Sequence, residues 1–332
     1  MSTQAKFRHY AHNTLITLAL PVLVMLVFAV LTHGRSLNAR TLLVVARQSV
    51  MPIIITMALV PNMTLNMIDF SAGAVVVAAS IIGTNLMNLT HTGLPGLVLF
   101  CVLTAVALTS LTGFMNEKLR VPTLVLTIGL ILVYESLPRI LFTNGATLKV
   151  KYTTLATAPW IFIVLAIVFV GFYLLYNKST YGQNIRALGG SEEIAKSAGL
   201  NVSKIKMTGF VISGIFLGVA SVLYISSNGQ VVNVMAFGSM GTIFDAFLGV
   251  FIAMFLSRYC NFAIGIVVGV FTMALLSNGF IAMGLEVTFR SIATGLILLL
   301  VLGFSANQER IQKWQANRER ARVANAAFLA RQ

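Results

Sequence analysis

Tyr181-Gly182-Gln183-Asn184-Ile185-Arg186-Ala187-Leu188-Gly189-Gly190-Ser191-Glu192-Glu193-Ile194-Ala195-Lys196-Ser197-Ala198-Gly199-Leu200 is a polar island between two long apolar runs. In a chain that is 58% hydrophobic, a stretch this long with helix-forming Ala, Glu and Lys needs a reason to leave the bilayer. Gly189 and Gly190 release the end of one helix, Ser191 with Glu192 and Glu193 starts the next, and Gly199 stops it. The expected product is a short helix over residues 192–198, outside the membrane, forming a cytoplasmic docking surface.

Outward from this island the composition fixes the class. Only 10% of the 332 residues are charged, and the mean hydropathy of +0.90 is far from that of soluble domains. The chain is therefore expected to be an all-α, polytopic membrane protein. A crossing needs about 20 apolar residues, which leaves room for about ten. The expected spans are residues 14–31, 42–60, 68–89, 94–115, 123–142, 160–176, 207–226, 241–256, 262–281 and 287–304. Residues 1–13 precede this transmembrane domain of residues 14–304, the polar loop occupies residues 177–206, and a basic tail follows over 305–332.

Short loops rich in Lys and Arg stay on the cytoplasmic side. With the N-terminus inside, an even number of spans returns the C-terminus inside. Lys6, Arg8, Lys118, Arg120, Lys178, Arg186, Lys196, Lys204, Lys206, Arg258 and six tail residues then face the cytoplasm, 16 of the 23 basic residues. Arg35, Arg40, Lys149 and Lys151 fall in outer loops, and Arg47, Arg139 and Arg290 lie near outer span ends, where long side chains snorkel. The net charge of +14 reflects this asymmetry and attraction to anionic lipid heads, rather than nucleic-acid binding. In the tail, Arg310, Lys313, Arg318, Arg320 and Arg322 recur with Ile311, Trp314 and Val323, the pattern of a membrane-surface helix. The N-terminal apolar run lacks a small-x-small cleavage site and is expected to be retained as the first span.

Chemistry-bearing residues are few. Cys101 and Cys260 are expected to be packing residues, and His9, His12, His33 and His91 do not stand at metal-ligand spacing with Cys or carboxylates. No G-x-x-x-x-G-K-[ST] loop is present, so the chain does not hydrolyse ATP alone. Acidic residues inside spans are costly. Asp69, followed by Ser71 and Gly73, suggests a broken helix in which the carboxylate accepts freed backbone N–H groups, with pore lining as the alternative. Asp245 is expected to cap the eighth span or meet an inward-facing donor, and Glu135 to pair with Arg139 at i, i+4. Gly209, Gly214 and Gly218 read as a close helix-packing stripe.

The pattern Gly182-x-x-Ile185-x-Ala187-Leu188-Gly189-Gly190-Ser191-x-x-x-Ala195-x-x-x-Gly199-Leu200-x-Val202 resembles the cytoplasmic coupling loop of ribose-type ABC importer permeases, the membrane subunits of carbohydrate uptake systems. Ile68-Asp69-Phe70-Ser71-Ala72-Gly73, Thr143-Asn144-Gly145 and Asn278-Gly279 with Gly284 resemble further segments of that family. The resemblance implies a non-catalytic permease, half of a dimeric pore in a bacterial inner membrane. Its implied partners are ABC ATPase subunits that bind ATP and Mg, a second permease copy or a paralogous one, and a periplasmic or extracellular sugar-binding protein. The implied coupling residues are Gly182, Arg186, Gly189, Gly190, Glu192, Glu193, Ala195 and Gly199, with Ala195 expected on the face buried in the ATPase. Arg186, Lys196, Lys204 and Lys206 are candidates to meet acidic rims on it. Asn66, Asp69, Ser71, Asn85, Asp245 and Asn278, with Asn62 and Thr64, are candidates for a translocation path that offers passing hydrogen bonds to a sugar.

Two departures stand out. After Asp245 the family runs into a glycine-rich segment, whereas this chain has Gly249-Val250-Phe251-Ile252-Ala253-Met254-Phe255-Leu256-Ser257-Arg258, and Asn66-Met67 replaces a small pair before Ile68. An altered pore or ATPase contact is the expectation there. The rival class is an ion-coupled secondary transporter using Asp69, Glu135 and Asp245; the long polar loop, unrepeated in the first half, argues against it.

Overall fold

The computed structural model describes residues 3–34, 38–257 and 259–285, together with 289, 292, 295, 296, 299 and 303. Most of the expected tenth span, the basic tail, Arg258 and Arg290 lie outside the described residues. The elements are α1 (Thr3–Leu31), α2 (Ala39–Thr64), α3 (Ala72–Thr90), α4 (Gly93–Leu119), α5 (Thr123–Leu141), β1 (Ala146–Thr147), a 3-10 helix (Val150–Ala156) and α6 (Trp160–Tyr173), which continues through a π turn (Leu174–Lys178). There follow α7 (Thr180–Gly190), α8 (Glu192–Ser197), α9 (Val202–Asn228), β2 (Gln230–Val231), α10 (Gly241–Leu256) and α11 (Phe262–Ala282).

The architecture is all-α, and seven of the described helices are long and apolar enough to cross a membrane: α2, α3, α4, α5, α6 with its π turn, α9 and α11. The expected first and eighth spans correspond to shorter apolar helices, Thr17–Leu31 within α1 and all of α10. Sixteen residues of α10 extend only about 24 Å, less than a hydrocarbon core of about 30 Å. Two expected boundaries move. The first helix already begins at Thr3, ahead of residue 14, and α3 begins at Ala72 instead of residue 68, because the chain turns at Asp69 and Ser71.

Helix α2 is the central element. Its residues 53–62 are all buried, and it packs against α9, α10, α11 and α6. A helix apolar on every side belongs inside a bundle. The Thr56 hydroxyl donates to the Pro52 carbonyl at 2.7 Å and reaches the Ala246 carbonyl at 3.1 Å, tying α2 to α10. By contrast, α6 leaves Ile163, Ile167 and Val170 exposed, as a lipid-facing helix would.

The most extensive packing among the described helices joins α4 and α9. A Cβ on Gly214 would lie 2.7 Å from the Val106 Cα, and one on Gly218 would lie 2.5 Å from the Val102 Cα, so the helices meet backbone to backbone as the glycine stripe suggested. Gly83 does the same for α3 against Cys101 of α4.

The bundle has two distinct ends, set by α9, whose 27 residues span about 40 Å. One end carries α7 and α8. The other carries an antiparallel ribbon in which Ala146 faces Val231 and Thr147 faces Gln230, so the segments after α5 and after α9 meet.

Candidate functional site

Local sequence explains the α7–α8 unit almost completely. The Ser179 Oγ accepts the Gly182 N–H at 3.1 Å and caps α7. The Ser191 Oγ accepts the Ile194 N–H and caps α8, with Glu192 and Glu193 in the first turn, where a helix dipole favours them. At the other end Gly199, at φ +84°, donates to the Lys196 carbonyl and Leu200 donates to the Ala195 carbonyl, a Schellman stop. The Asn201 Oδ1 then accepts the Lys204 N–H at 2.9 Å and starts α9. The helix thus ends at Ser197, one residue before the expected end.

Gly182 and Gly189 are needed for close approach. A Cβ on Gly182 would lie 2.2 Å from the Tyr176 carbonyl oxygen, and one on Gly189 would lie 2.1 Å from that of Thr64. The second contact seats the end of α7 on the end of α2. Gly190 meets nothing within 4 Å.

Side-chain placement corrects two expectations. Ala195 is buried within the chain's own core, so it is not on the exposed face of α8. The Schellman stop turns Ala195 and Leu200 inward together, and the apolar residue left outside is Ile194, 72% exposed. Lys206 does not stand free for a partner: its Nζ lies 3.0 Å from Glu192 Oε2. Arg186 lies over the Tyr176 ring, 5.3 Å from its centroid.

Beside this unit opens a cavity of about 540 Å³, lined by Leu65 to Ile68, by the α4–α5 turn and by the Glu192–Lys206 pair. Asn66 is exposed on its wall in the left-handed region, at φ +57°, which Asn tolerates better than most residues.

Beyond Ile68 the chain turns into α3. Asp69 is fully buried; its Oδ1 accepts both the Ser71 N–H at 2.9 Å and the Ser71 hydroxyl at 2.6 Å, as expected for a carboxylate at a helix break. Phe70 donates its N–H to the Thr127 Oγ1 of α5, and its ring lies 5.0 Å from that of Phe247 in α10.

Glu135 does not pair with Arg139. Its Oε1 accepts the Ser239 N–H at 2.8 Å and the Ser239 hydroxyl at 2.7 Å, and its Oε2 accepts the Phe237 N–H at 3.0 Å. Arg139 instead contacts the Met235 sulfur. Asp245 is also not a cap: α10 starts after Met240, and Asp245 sits half-buried in its second turn.

The remaining path candidates scatter. The Asn85 Nδ2 donates to the Ile81 and Gly145 carbonyls, both at 2.9 Å, and so holds the loop that feeds the ribbon. Asn278 donates to Gln48 of α2 at 2.8 Å. Asn66, Asp69 and Ser71 share one connection, while Asn85 stands about 20 Å farther along α3. Asn62 is buried, with neither amide atom hydrogen-bonded among the described residues; a Cβ on Gly209 would lie 2.9 Å from its Oδ1 and 3.0 Å from the equally unpaired hydroxyl of Tyr181. Burial raises the pKa of that hydroxyl above the usual tyrosine value.

The apolar run after Asp245 is accommodated by its neighbour. A Cβ on Gly269 would lie 3.0 Å from the Ile252 Cγ2, and one on Gly265 would lie 3.4 Å from the Ala253 Cα, so glycines on α11 provide the room that α10 lacks.

Residues 42–302 match the family model described as the branched-chain amino acid transport system permease component. The chain is 27% identical to the L-arabinose ABC transporter permease protein of Azospirillum brasilense over 76% of each chain. It is 25% identical to the autoinducer 2 import system permease protein of Photorhabdus luminescens, covering 76% of this chain and 77% of that one. It is 22% identical to the ribose import permease protein of Escherichia coli strain K12, over 71% and 76%. The fold resembles that of an ABC transporter assigned to the metal-chelate type and solved in an inward-facing conformation, with TM-score 0.50, 16% identity and coverage of 88% and 99%.

Proposed function

The chain belongs to the family described as the permease component of the branched-chain amino acid transport system, and on that premise we propose that it is the membrane-spanning permease subunit of an ATP-driven ABC importer for a sugar or related small polar solute. The named cargoes of its relatives, L-arabinose, ribose and autoinducer 2, favour a sugar-like solute over a branched-chain amino acid. The chain itself carries out no covalent chemistry. ATP and Mg are handled by partner ATPase subunits, a second copy or a paralogous permease completes the pore, and a periplasmic or extracellular binding protein delivers the cargo.

One observation carries the coupling role. The short helix α8 is pinned by its Ser191 cap, its Schellman stop and buried Ala195, yet it presents Ile194 outward. A rigid lever with an apolar tip suits a cleft in an ATPase that closes on ATP. Gly189 resting on Thr64 then passes displacement to α2 and to the cavity wall at Asn66. Gly182, Arg186, Gly190, Glu192, Glu193 and Gly199 serve this lever by shaping or orienting it. An ion-coupled carrier has no use for such an element.

In this reading, residues 14–304 form the transmembrane domain with about ten crossings, and residues 177–206 and the tail 305–332 lie in the cytoplasm with both termini. The membrane is a bacterial inner membrane. Thr147 and Asn228, both exposed at the ribbon end, then face outward toward the binding protein. Cysteines placed there should label in intact cells, and labelling only after the inner membrane is opened would overturn the topology.

Reconstitution with the ATPase and binding protein tests the whole proposal. ATP-dependent uptake of a pentose or hexose, but not of leucine, is expected, with uptake and ATPase co-purification both lost in Ile194→Arg. Uptake without any ATPase refutes the importer, and uptake of leucine alone refutes the cargo.

A further inference from the structure

We propose that Glu135 is a positioning residue for transport: its carboxylate holds the connection of residues 233–240 against α5 and α3, and thereby couples movement at the α8 end to the ribbon end. This rests on the importer reading above, although the geometry does not. The connection is unusual on its own terms. Ala236 and Phe237 are consecutive non-glycine residues in the left-handed region, at φ +55° and +66°, a conformation that costs energy unless the surroundings impose it.

The surroundings do impose it, at three points along α5 and the residues that follow it. The Asn233 side chain donates to the Phe142 and Thr143 carbonyls, both at 2.9 Å. Arg139 touches the Met235 sulfur. Glu135, only 2% exposed, accepts the Phe237 and Ser239 N–H groups and the Ser239 hydroxyl, so a buried carboxyl group and a strained turn satisfy each other. On its other side the turn rests on α3: a Cβ on Gly73 would lie 2.5 Å from the Ser239 carbonyl oxygen and 3.0 Å from the Ile243 Cγ2.

Gly73 stands just after the Asp69–Ser71 turn, and that turn follows the cavity wall beside α8. A shift passed from α7 to α2 and on to the start of α3 therefore meets the 233–240 connection directly. Glu135 decides whether that connection follows α5 as a unit or relaxes. Both carboxylate oxygens accept, so an amide at this position must turn an N–H toward an N–H or leave one donor unmet.

The test compares wild type with Glu135→Gln, each assembled with its ATPase in nanodiscs. Hydrogen exchange of peptides covering residues 233–243 is expected to speed up at least ten-fold in the variant while α2, α4 and α9 stay protected. Transport should fall several-fold per ATP hydrolysed, with the apparent KM for the cargo-loaded binding protein unchanged. A general loss of stability would lower hydrolysis as well. Replacing Phe237 by Gly in the same chain should recover part of the transport-to-hydrolysis ratio, because glycine needs no carboxylate to hold it left-handed.

Wild-type exchange in Glu135→Gln overturns the clamp, and fast exchange with undiminished coupling overturns its role in transport. If Glu135→Gln does not assemble, Ser239→Ala removes only the hydroxyl contact and should give a smaller change in both readouts. Wild-type behaviour of Ser239→Ala and of Glu135→Asp together would then sink the proposal. Because exchange is measured without cargo, failure of the importer reading is told apart from failure of the clamp.

Discussion

Replacing Gly218 by Ala tests the α4–α9 seam most directly. The new Cβ would lie 2.5 Å from the Val102 Cα, whereas carbon atoms rest at about 3.5–4.0 Å, so the helices must part by about 1 Å. The obstacle is backbone, which no rotamer change on Val102 removes. A gap of that size forfeits a quarter to a half of the attraction along the seam, and overpacking of this kind costs about 3 kcal/mol at the upper end of its range. Ala gains about 1 kcal/mol over Gly in helix propensity, leaving a net loss of about 2 kcal/mol. Gly214→Ala, with the Val106 Cα at 2.7 Å, should lose nearly as much. The double variant should lose only about 1 kcal/mol, well below the sum of the two single losses, since one separation relieves both contacts while the propensity gain counts twice. Gly171→Ala in α6 is the control, because nothing lies within 4 Å of its Cβ and only propensity acts. Steric-trap unfolding in bicelles measures all four. If Gly218→Ala proves as harmless as Gly171→Ala, the backbone contact is not what holds the seam.

Other outcomes follow from single contacts. Ile194→Ala should weaken ATPase binding about ten-fold, from about 1–2 kcal/mol of exposed apolar surface that a cleft would cover, read by titrating ATPase onto nanodiscs. Asn62→Leu should raise thermal stability by about 1–3 kcal/mol, because it replaces a buried amide that has no hydrogen-bond partner among the described residues; a destabilised variant would show that the amide is satisfied. Burial raises the Cys260 thiol above the usual cysteine value, so less thiolate exists at neutral pH. Maleimide labelling there should be slow at pH 7 and quicken as pH rises; fast labelling at pH 7 would contradict that burial.

Much of the candidate site was legible in sequence because it is built from neighbours. Ser179, Ser191 and Asn201 cap helices through hydrogen bonds three residues along, Gly199 ends α8 within its own turn, and Asp69 reaches only to Ser71. The same local view misplaced Glu135, because Arg139 is its helical neighbour while its true donors lie 102 and 104 residues away. It misplaced Ala195 as well, since exposure depends on what packs behind α8.

Apolar length and helix capping act over a few residues and need no partner, so an all-helical membrane protein with one polar helical segment between apolar spans is readable from the residues alone, and the permease family from the resemblance of its motifs. Tertiary packing sets which face of α8 is exposed, which asparagines are spent on holding loops, and that a buried carboxylate on α5 grips a left-handed turn before α10. Those outcomes depend on contacts between helices distant in sequence, and inside a bilayer nearly every helix offers the same apolar surface, so pattern alone does not say which neighbour each one meets.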